Sequence, residues 1–341
     1  MTSKPAEKRT LSSRAKRSKV PRFTGRTRLW LASGTVACAL VVLFAANAAI
    51  AKSSERPKIK GIAGVTLLVS DLPSSREKYK QILQPGYSCD WCEEASTADF
   101  ELGAGQTIAL QAAPTPQPDN LLEEVFFKTA DLKAMKRYLR SQNVPFEELS
   151  VGRASLRIRV KDPDGHHISF ISFGPIMEPG KDEVREHAGG VAATAGIPGY
   201  RIIHAGFIVR NQSAMDHFYK DILGFRPYWH GGMKDDETSW ISLQVPDGTD
   251  WIEYMVNLPA DPDQHLRGVM NHIAIGVVDI QAEREQLVKN GVHLTEEPKL
   301  GRDGKWQLNL YDPDQTRIEF MEFTPKEKPC CSEYTGPHPK P

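Results

Sequence analysis

Two histidines and two glutamates stand where chemistry is possible: His204 in RIIHAGFIV, Glu253 in DWIEYMV, His272 in VMNHIAIGVVD and Glu319 in TRIEFMEF. Each lies in an apolar run that reads as a buried strand. One histidine in such a run is ordinarily a satisfied core residue. Here, however, a histidine opens each of two repeated segments and a glutamate sits in the last strand of each. Imidazole nitrogen and carboxylate oxygen together suit a borderline divalent cation and leave positions open for a substrate. Burying two carboxylates without a cation would cost several kcal/mol each or force proton uptake. Alternation places His272 on a face with Ala274 and Gly276, opposite Ile273, Ile275 and Val277. The histidine therefore looks toward the side with room for a ligand.

The elements that must position these residues recur four times between about residue 60 and residue 324. The units open with GIAGVTLLVSD, LLEEVFFKTAD, RIIHAGFIVRN and VMNHIAIGVVD. Each opening ends on a residue able to cap a helix: Asp71, Asp131, Asn211 and Asp279. In the third helix Ala214, Met215, Phe218, Tyr219, Ile222 and Leu223 form one apolar stripe, and Gly224 stops it. KDPDGHHISFISF and YDPDQTRIEFMEF repeat one Asp-Pro-Asp turn followed by a strand. The fold class is therefore α+β, with four strand–helix–three-strand (βαβββ) units paired into two domains, 60–175 and 200–324. A Gly-, Pro- and charge-rich linker, 176–199, joins them, and the polar, Pro-rich stretch 325–341 reads as a disordered tail.

Four such units, with HAGFIVRNQSAMDHFYKDILGF and NHIAIGV…DPDQTRIEF, resemble the vicinal oxygen chelate superfamily. Its members include glyoxalase I, extradiol ring-cleaving dioxygenases, methylmalonyl-CoA epimerase and the bleomycin and fosfomycin resistance proteins. The resemblance implies a divalent metal ion (zinc, nickel, iron or manganese) held by His204, Glu253, His272 and Glu319. It also implies a small oxygen-chelating substrate and an enolate or oxyanion stabilised by Lewis-acid electrostatics. If the chain resembles glyoxalase I in detail, all four ligand positions are filled and Glu319 is the catalytic carboxylate that shuttles a proton. A lyase or isomerase is the reading preferred here. If it resembles an extradiol dioxygenase, His204, His272 and Glu319 form an iron triad. The dioxygenase signature carries a histidine upstream of its Tyr…Asp-Pro segment, whereas DGKWQLNLYDPDQ has none and Tyr311 abuts Asp312. A resistance-type protein that sequesters a ligand is the third possibility.

By helix register the first domain has Gly64, Ala109 or Leu110, Glu124 and Ser169 at the four ligand places, and so no metal set of its own. Trp229, His230, Trp240 and Trp306 lie on strands beside the site as candidates for an aromatic substrate wall. His166, His167 and His217 read as solvated.

Formal net charge is zero, which argues against a nucleic-acid partner. The balance hides a basic, disordered segment, 1–28, with ten Lys/Arg against Glu7. It precedes 23 residues without charge, 29–51, ending in Ala49-Ile50-Ala51. That run reads as an apolar helix, either a transmembrane anchor or a cleaved signal peptide. Both place everything after Lys52 outside the cytoplasm, tethered to the membrane if the helix is uncleaved. Cys89 and Cys92 would then form a local disulfide. The oligomeric state is not legible. A reporter that works only after export, fused behind residue 60, is expected to be active, and activity only of a cytoplasmic reporter would overturn the assignment.

Overall fold

Parallel pairing between the opening and closing strands of each unit organises both sheets. The computed structural model describes residues 55–83, 96–151, 155–172 and 200–341. The segments 1–28 and 29–51, the CDWC stretch and the linker 176–199 lie outside the described residues. The first sheet contains β1 (Ile59–Val69), β2 (Thr97–Leu102), β3 (Gln106–Ala112), β4 (Leu122–Thr129), β5 (Glu147–Val151), β6 (Ser155–Lys161) and β7 (His167–Ile171). Its order is β2-β3-β1-β4-β7-β6-β5. Helix α1 (Leu72–Leu83) follows β1, and α2 (Leu132–Ser141) follows β4.

The second sheet contains β8 (Arg201–Ile208), β9 (Arg226–Gly231), β10 (Trp240–Gln244), β11 (Trp251–Met255), β12 (His272–Val277), β13 (Lys299–Leu300), β14 (Trp306–Tyr311) and β15 (Arg317–Glu322). Its order is β13-β14-β15-β12-β8-β11-β10-β9. After β8 comes α3 (Gln212–Asp216), continued by a π-helical stretch, His217–Ile222. Helix α4 (Gln264–Met270) leads into β12, and α5 (Ile280–Lys289) follows it. In both sheets the halves meet through one antiparallel pair, β1 with β4 and β8 with β12. The result is a mixed α+β fold of two curled sheets. Among the described residues no helix is long and apolar enough to cross a membrane.

The four anticipated caps are all made. Asp71 accepts from Ser74 N–H, Asp131 from Ala134, Asn211 from Ala214, and Asp279 from Gln281 and Ala282. Each satisfies amide groups that the first helical turn leaves unpaired. Gly224 stops the third helix at φ +76°, a conformation that favours glycine.

The Asp-Pro-Asp turns do more than start strands. Tyr79 on α1 donates its hydroxyl to Asp312 across the two halves at 3.2 Å, and Tyr219 donates to Asp162 at 3.2 Å in the reciprocal contact. Asp314 accepts from Ser70 N–H and Asp164 from Arg210 N–H. Each turn therefore ties its own half to the other. His166, read as solvated, is half-buried here, with Nδ1 2.8 Å from Asp162 and its ring 4.6 Å from that of Phe207.

The tail corrects the sequence reading. Residues 325–341 are laid against the second sheet. Lys326 N–H donates to Gly304 O, Cys330 N–H to Arg302 O and Thr335 N–H to Tyr228 O, while Gln244 donates to Pro337 O. Composition suggested disorder because few tail residues are apolar. The segment is ordered by backbone pairing to β9 and to the 301–304 turn, and by Tyr334, whose ring lies 4.8 Å from Tyr228. Cys330 and Cys331 are disulfide-bonded to each other.

In the middle of the first sheet, buried Glu124 is held by charge pairing within the protein. Arg159 donates to both of its oxygens, at 3.0 and 2.7 Å, Arg157 lies 3.3 Å away, and Ser169 donates a short hydrogen bond. Breaking a buried pair from one side leaves the other charge unpaired. Arg159→Ala is expected to lower stability by about 3 kcal/mol in denaturant melts. An unchanged midpoint would show that Arg157 alone neutralises the carboxylate.

Candidate metal centre

Four adjacent central strands of the second sheet carry the four candidate ligands on one face. In one row Glu319 on β15 pairs with Ala274 on β12, Ala274 with His204 on β8, and His204 with Trp251 on β11. One step along, His272 pairs with Gly206 and Gly206 with Glu253. The residue between the two ligands of each row is small, Ala274 in one and Gly206 in the other. The gap is required: a Cβ on Gly206 would collide with the His272 ring.

The donor atoms converge. His204 Nε2 and His272 Nε2 are 3.0 Å apart. Glu319 Oε2 lies 3.6 Å from each of them, and Glu253 Oε2 lies 3.6 Å from His272 and 3.9 Å from His204. Two donors each about 2.1 Å from one ion would be roughly 3.0–3.4 Å apart. The spacing is therefore close to that of ligands around a shared centre. His204, His272 and Glu319 have donor atoms all within 4.8 Å of one another and can hold a metal ion. Glu253 faces both histidines from the other side, with Ser242 donating to it at 3.3 Å.

The electrostatics agree with a cation. Burial, with Arg317 and Lys305 nearby, pushes the His204 pKa well below its ordinary range. Burial, Arg317 and His204 do the same to His272. Both imidazoles are thus neutral and keep a lone pair for a ligand. Burial, reinforced by Glu319, pushes Glu253 up to about 8, and burial raises Glu319. Without a cation Glu253 keeps its proton at neutral pH.

Residues 201–320 match the family described as the Glyoxalase/Bleomycin resistance protein/Dioxygenase superfamily. The chain is similar to a lactoylglutathione lyase of Haemophilus influenzae, 29% identical over 124 residues, covering 36% of this chain and 92% of that protein. It is similar in fold to an extradiol ring-cleaving dioxygenase from B. fuscum, with TM-score 0.56, 18% identity, and coverage of 79% of this chain and 73% of that one. It is likewise similar to the 2,3-dioxygenase LapB from Pseudomonas sp. KL28, with TM-score 0.54, 15% identity, and coverage of 84% and 96%. The match to this superfamily falls on the second sheet, which carries the four candidate ligands.

The ligand face opens into a cavity of about 440 Å³. Trp229 and Trp240 line it, their rings nearly parallel with centroids 6.5 Å apart. His230 and Trp306 do not. His230 is exposed and bonded through its backbone to Ser332, while Trp306 packs on the core opposite the pocket-lining Gln307. Period-two alternation sends both to the other face. His217 is exposed and pairs with Asp221, as its helix face suggested.

The sequence reading missed Trp251, Tyr228, Asp303, Arg317 and Tyr334 in the wall, and Lys305 next to it. Trp251 and Arg317 each stand two residues before a ligand, so alternation alone would have placed them on its face. Tyr228 enters through a register shift in β9, where Ser242 faces Trp229 and Leu243 faces Pro227. Lys305 is fully buried. Burial lowers its pKa to about 8 against the opposing pull of Asp303, Glu319 and Glu253, so it stays protonated at neutral pH.

A pH dependence follows. The ion-free folded chain holds the Glu253 proton up to about 8, whereas the unfolded chain releases it near the ordinary value of 4.5. The folded state therefore binds more protons in that window, and its stability falls as pH rises through it. The histidines, neutral when folded, give the opposite slope only at and below their ordinary range near 6.5. Between about pH 7 and pH 8, above the histidine range and before Lys305 loses its proton, Glu253 acts in one direction, and a bound cation replaces its proton. Added zinc is expected to raise the melting temperature of chelator-treated protein more at the upper pH than at the lower. Equal increments at both would rule out a buried proton displaced by metal.

Proposed function

We propose that this protein is a metal-dependent lyase or isomerase of the glyoxalase type, acting on a small substrate that chelates through oxygen. The observation that carries the reading is the approach of Glu253 to both histidines from the side opposite Glu319, which completes a two-His, two-Glu donor set. The similarity to a lactoylglutathione lyase over residues making up 92% of that protein supports it. His204, His272, Glu253 and Glu319 would hold the ion. When bound, the ion supplies Lewis-acid stabilisation of negative charge developing on a chelating substrate oxygen.

The remaining work falls to side chains. Glu319 Oε2 removes a proton from the carbon beside the substrate carbonyl and returns it to the neighbouring position. Burial favours this, because it raises the carboxyl's affinity for a proton. Trp229, Trp240, Trp251 and Tyr334 shape an apolar wall that excludes water, and Arg317, 3.9 Å from Glu319, steadies the carboxylate between transfers.

A second reading is favoured by one observation. Of the four candidate ligands, His204, His272 and Glu319 fall into the tight donor cluster and Glu253 does not, the composition of a two-His-one-carboxylate iron site. On that reading the protein cleaves catechol-type rings, and Glu253 is not a ligand. A ligand-sequestering role would use the cavity with no turnover. The charge pattern of 1–28 and 29–51 supports placing the domains outside the cytoplasm, away from the thiol pool that a glutathione adduct requires.

Metal analysis and two variants separate these readings. The purified chain is expected to hold one equivalent of zinc or nickel and to show lactoylglutathione lyase or related isomerase turnover. Glu319→Gln would keep much of the metal but lose turnover on the order of 10³-fold, whereas Glu253→Gln would lose metal with a smaller loss of turnover per bound ion. Bound iron with catechol cleavage, and metal content unaffected by Glu253→Gln, would move the dioxygenase reading ahead.

A further inference from the structure

His204 and His272 reach the same point but are held there by different means. His272 Nδ1 lies 3.2 Å from the Met270 carbonyl oxygen. Such an outer partner fixes the tautomer and plane of a ligating imidazole. His204 Nδ1 is buried with no hydrogen-bond partner among the described residues. Its ring packs instead on Trp251, with centroids 4.7 Å apart and planes inclined by 31°. The indole, in turn, has no hydrogen bond to fix it, because its Nε1 is also buried and unpartnered.

Tyr228 packs beside the indole, with ring centroids 5.2 Å apart, and Lys305 stands over its face. Its Nζ stands 4.5 Å from the Trp251 ring centroid, 5.4 Å from that of Tyr334 and 5.7 Å from that of Tyr228. The side chain is wholly buried, and Nζ has no oxygen partner among the described residues. Attraction between an ammonium and an aromatic face is strongest when both are out of water, and Trp is the best acceptor. The backbone around the lysine is set by a turn, with Gly301 N–H donating to Lys305 O at 2.8 Å and Gly304 at φ +80°. Tyr334, on the C-terminal segment, closes the cage and is itself bonded to Asp303.

We propose that Lys305 is a positioning residue for the metal centre, its ammonium clamping Trp251 against His204 in place of a hydrogen-bonded outer partner. This rests on His204 being a metal ligand. The clamp makes a prediction opposite in sign to that of a simple nearby charge. Removing a cation beside the site would, by Coulomb's law alone, tighten the binding of a metal cation. Removing the clamp loosens a ligand and weakens binding.

The test is cobalt(II) titration of the chelator-stripped full chain, followed by visible absorption and by competition with a chelator of known affinity. The native chain is expected to bind one equivalent. Lys305→Met would bind about tenfold more weakly with an altered ligand-field spectrum, and Lys305→Arg, which keeps a cation on the indole, would restore both. Trp251→Leu would bind as weakly as Lys305→Met, and adding Lys305→Met to it would cause no further loss, since the lysine acts through the ring. Equal or tighter binding by Lys305→Met, or a further loss in the double variant, overturns the clamp while leaving the metal site standing. Failure of the native chain to bind cobalt overturns the metal-site reading and the clamp with it. If far-UV circular dichroism shows that Lys305→Met does not fold, Trp251→Phe takes its place. Its smaller ring face must weaken cobalt binding, and native affinity in that variant would overturn the proposal.

Discussion

The second sheet depends on one electrostatic constraint: two carboxylates and two imidazoles share a buried face of four central strands. Burial raises the pKa of both Glu253 and Glu319, because neither carboxylate has the solvation it would have in water. The surrounding sequence serves that face. Gly206 and Ala274 stay small so that the rings of the neighbouring strands can turn inward, and His272 occupies the space above Gly206. The first sheet meets the same constraint differently. Register matches Gly64 to His204, Ala109 to Glu253, Glu124 to His272 and Ser169 to Glu319. Phe126 and Thr66 fill the places of Ala274 and Gly206, and the one carboxylate, Glu124, meets Arg159 and Arg157. One sheet neutralises its buried acid with guanidinium groups, whereas the other leaves its acids for an ion.

This contrast explains what the first half does for the second. The turn before β15 is built on Asp312, which accepts from Asp314 and Thr316 N–H groups and sets the start of the strand carrying Glu319. Asp312 also receives the Tyr79 hydroxyl from α1, and Asp314 receives Ser70 N–H. Burial pushes Asp312 up to about 7, and these donors oppose the rise. The ligand strand is thus anchored from the other half of the fold. The reciprocal bond from Tyr219 to Asp162 makes the arrangement nearly two-fold, although only one of the two matching strands carries a ligand.

How much was legible follows from the range of the forces. The caps, the strand periods and the Asp-Pro-Asp repeat are local, and the four candidate ligands follow from comparing equivalent places in the repeat. Trp251 and Arg317 were within reach of the same alternation argument, applied two residues from each ligand. His230 and Trp306 were misplaced because nearness to the site in sequence was weighed without asking which face each side chain takes. Tyr228 needed the register shift in β9, which no composition rule signals. The tail was misread because order there comes from long-range partners: Tyr334 finds Asp303 and Tyr228 only once the second sheet exists.

Charge in the finished pocket bears on the kind of ligand it suits. An ion of charge two, set against Glu253 and Glu319, is locally neutral. Arg317 and Lys305 then add two cations, of which Asp303 offsets one, with Lys299 and Arg302 further out along the wall. The balance is positive in a site whose remaining walls are indole, phenol and thioether: Trp229, Trp240, Tyr228 and Met321. A chelating substrate that stays neutral would leave that excess uncompensated, whereas one that ionises an oxygen against the ion cancels it. On the proposed lyase or isomerase reading, the field that favours an ionised ligand would also favour charge accumulating on its oxygen during proton transfer, giving binding preference and rate one electrostatic origin.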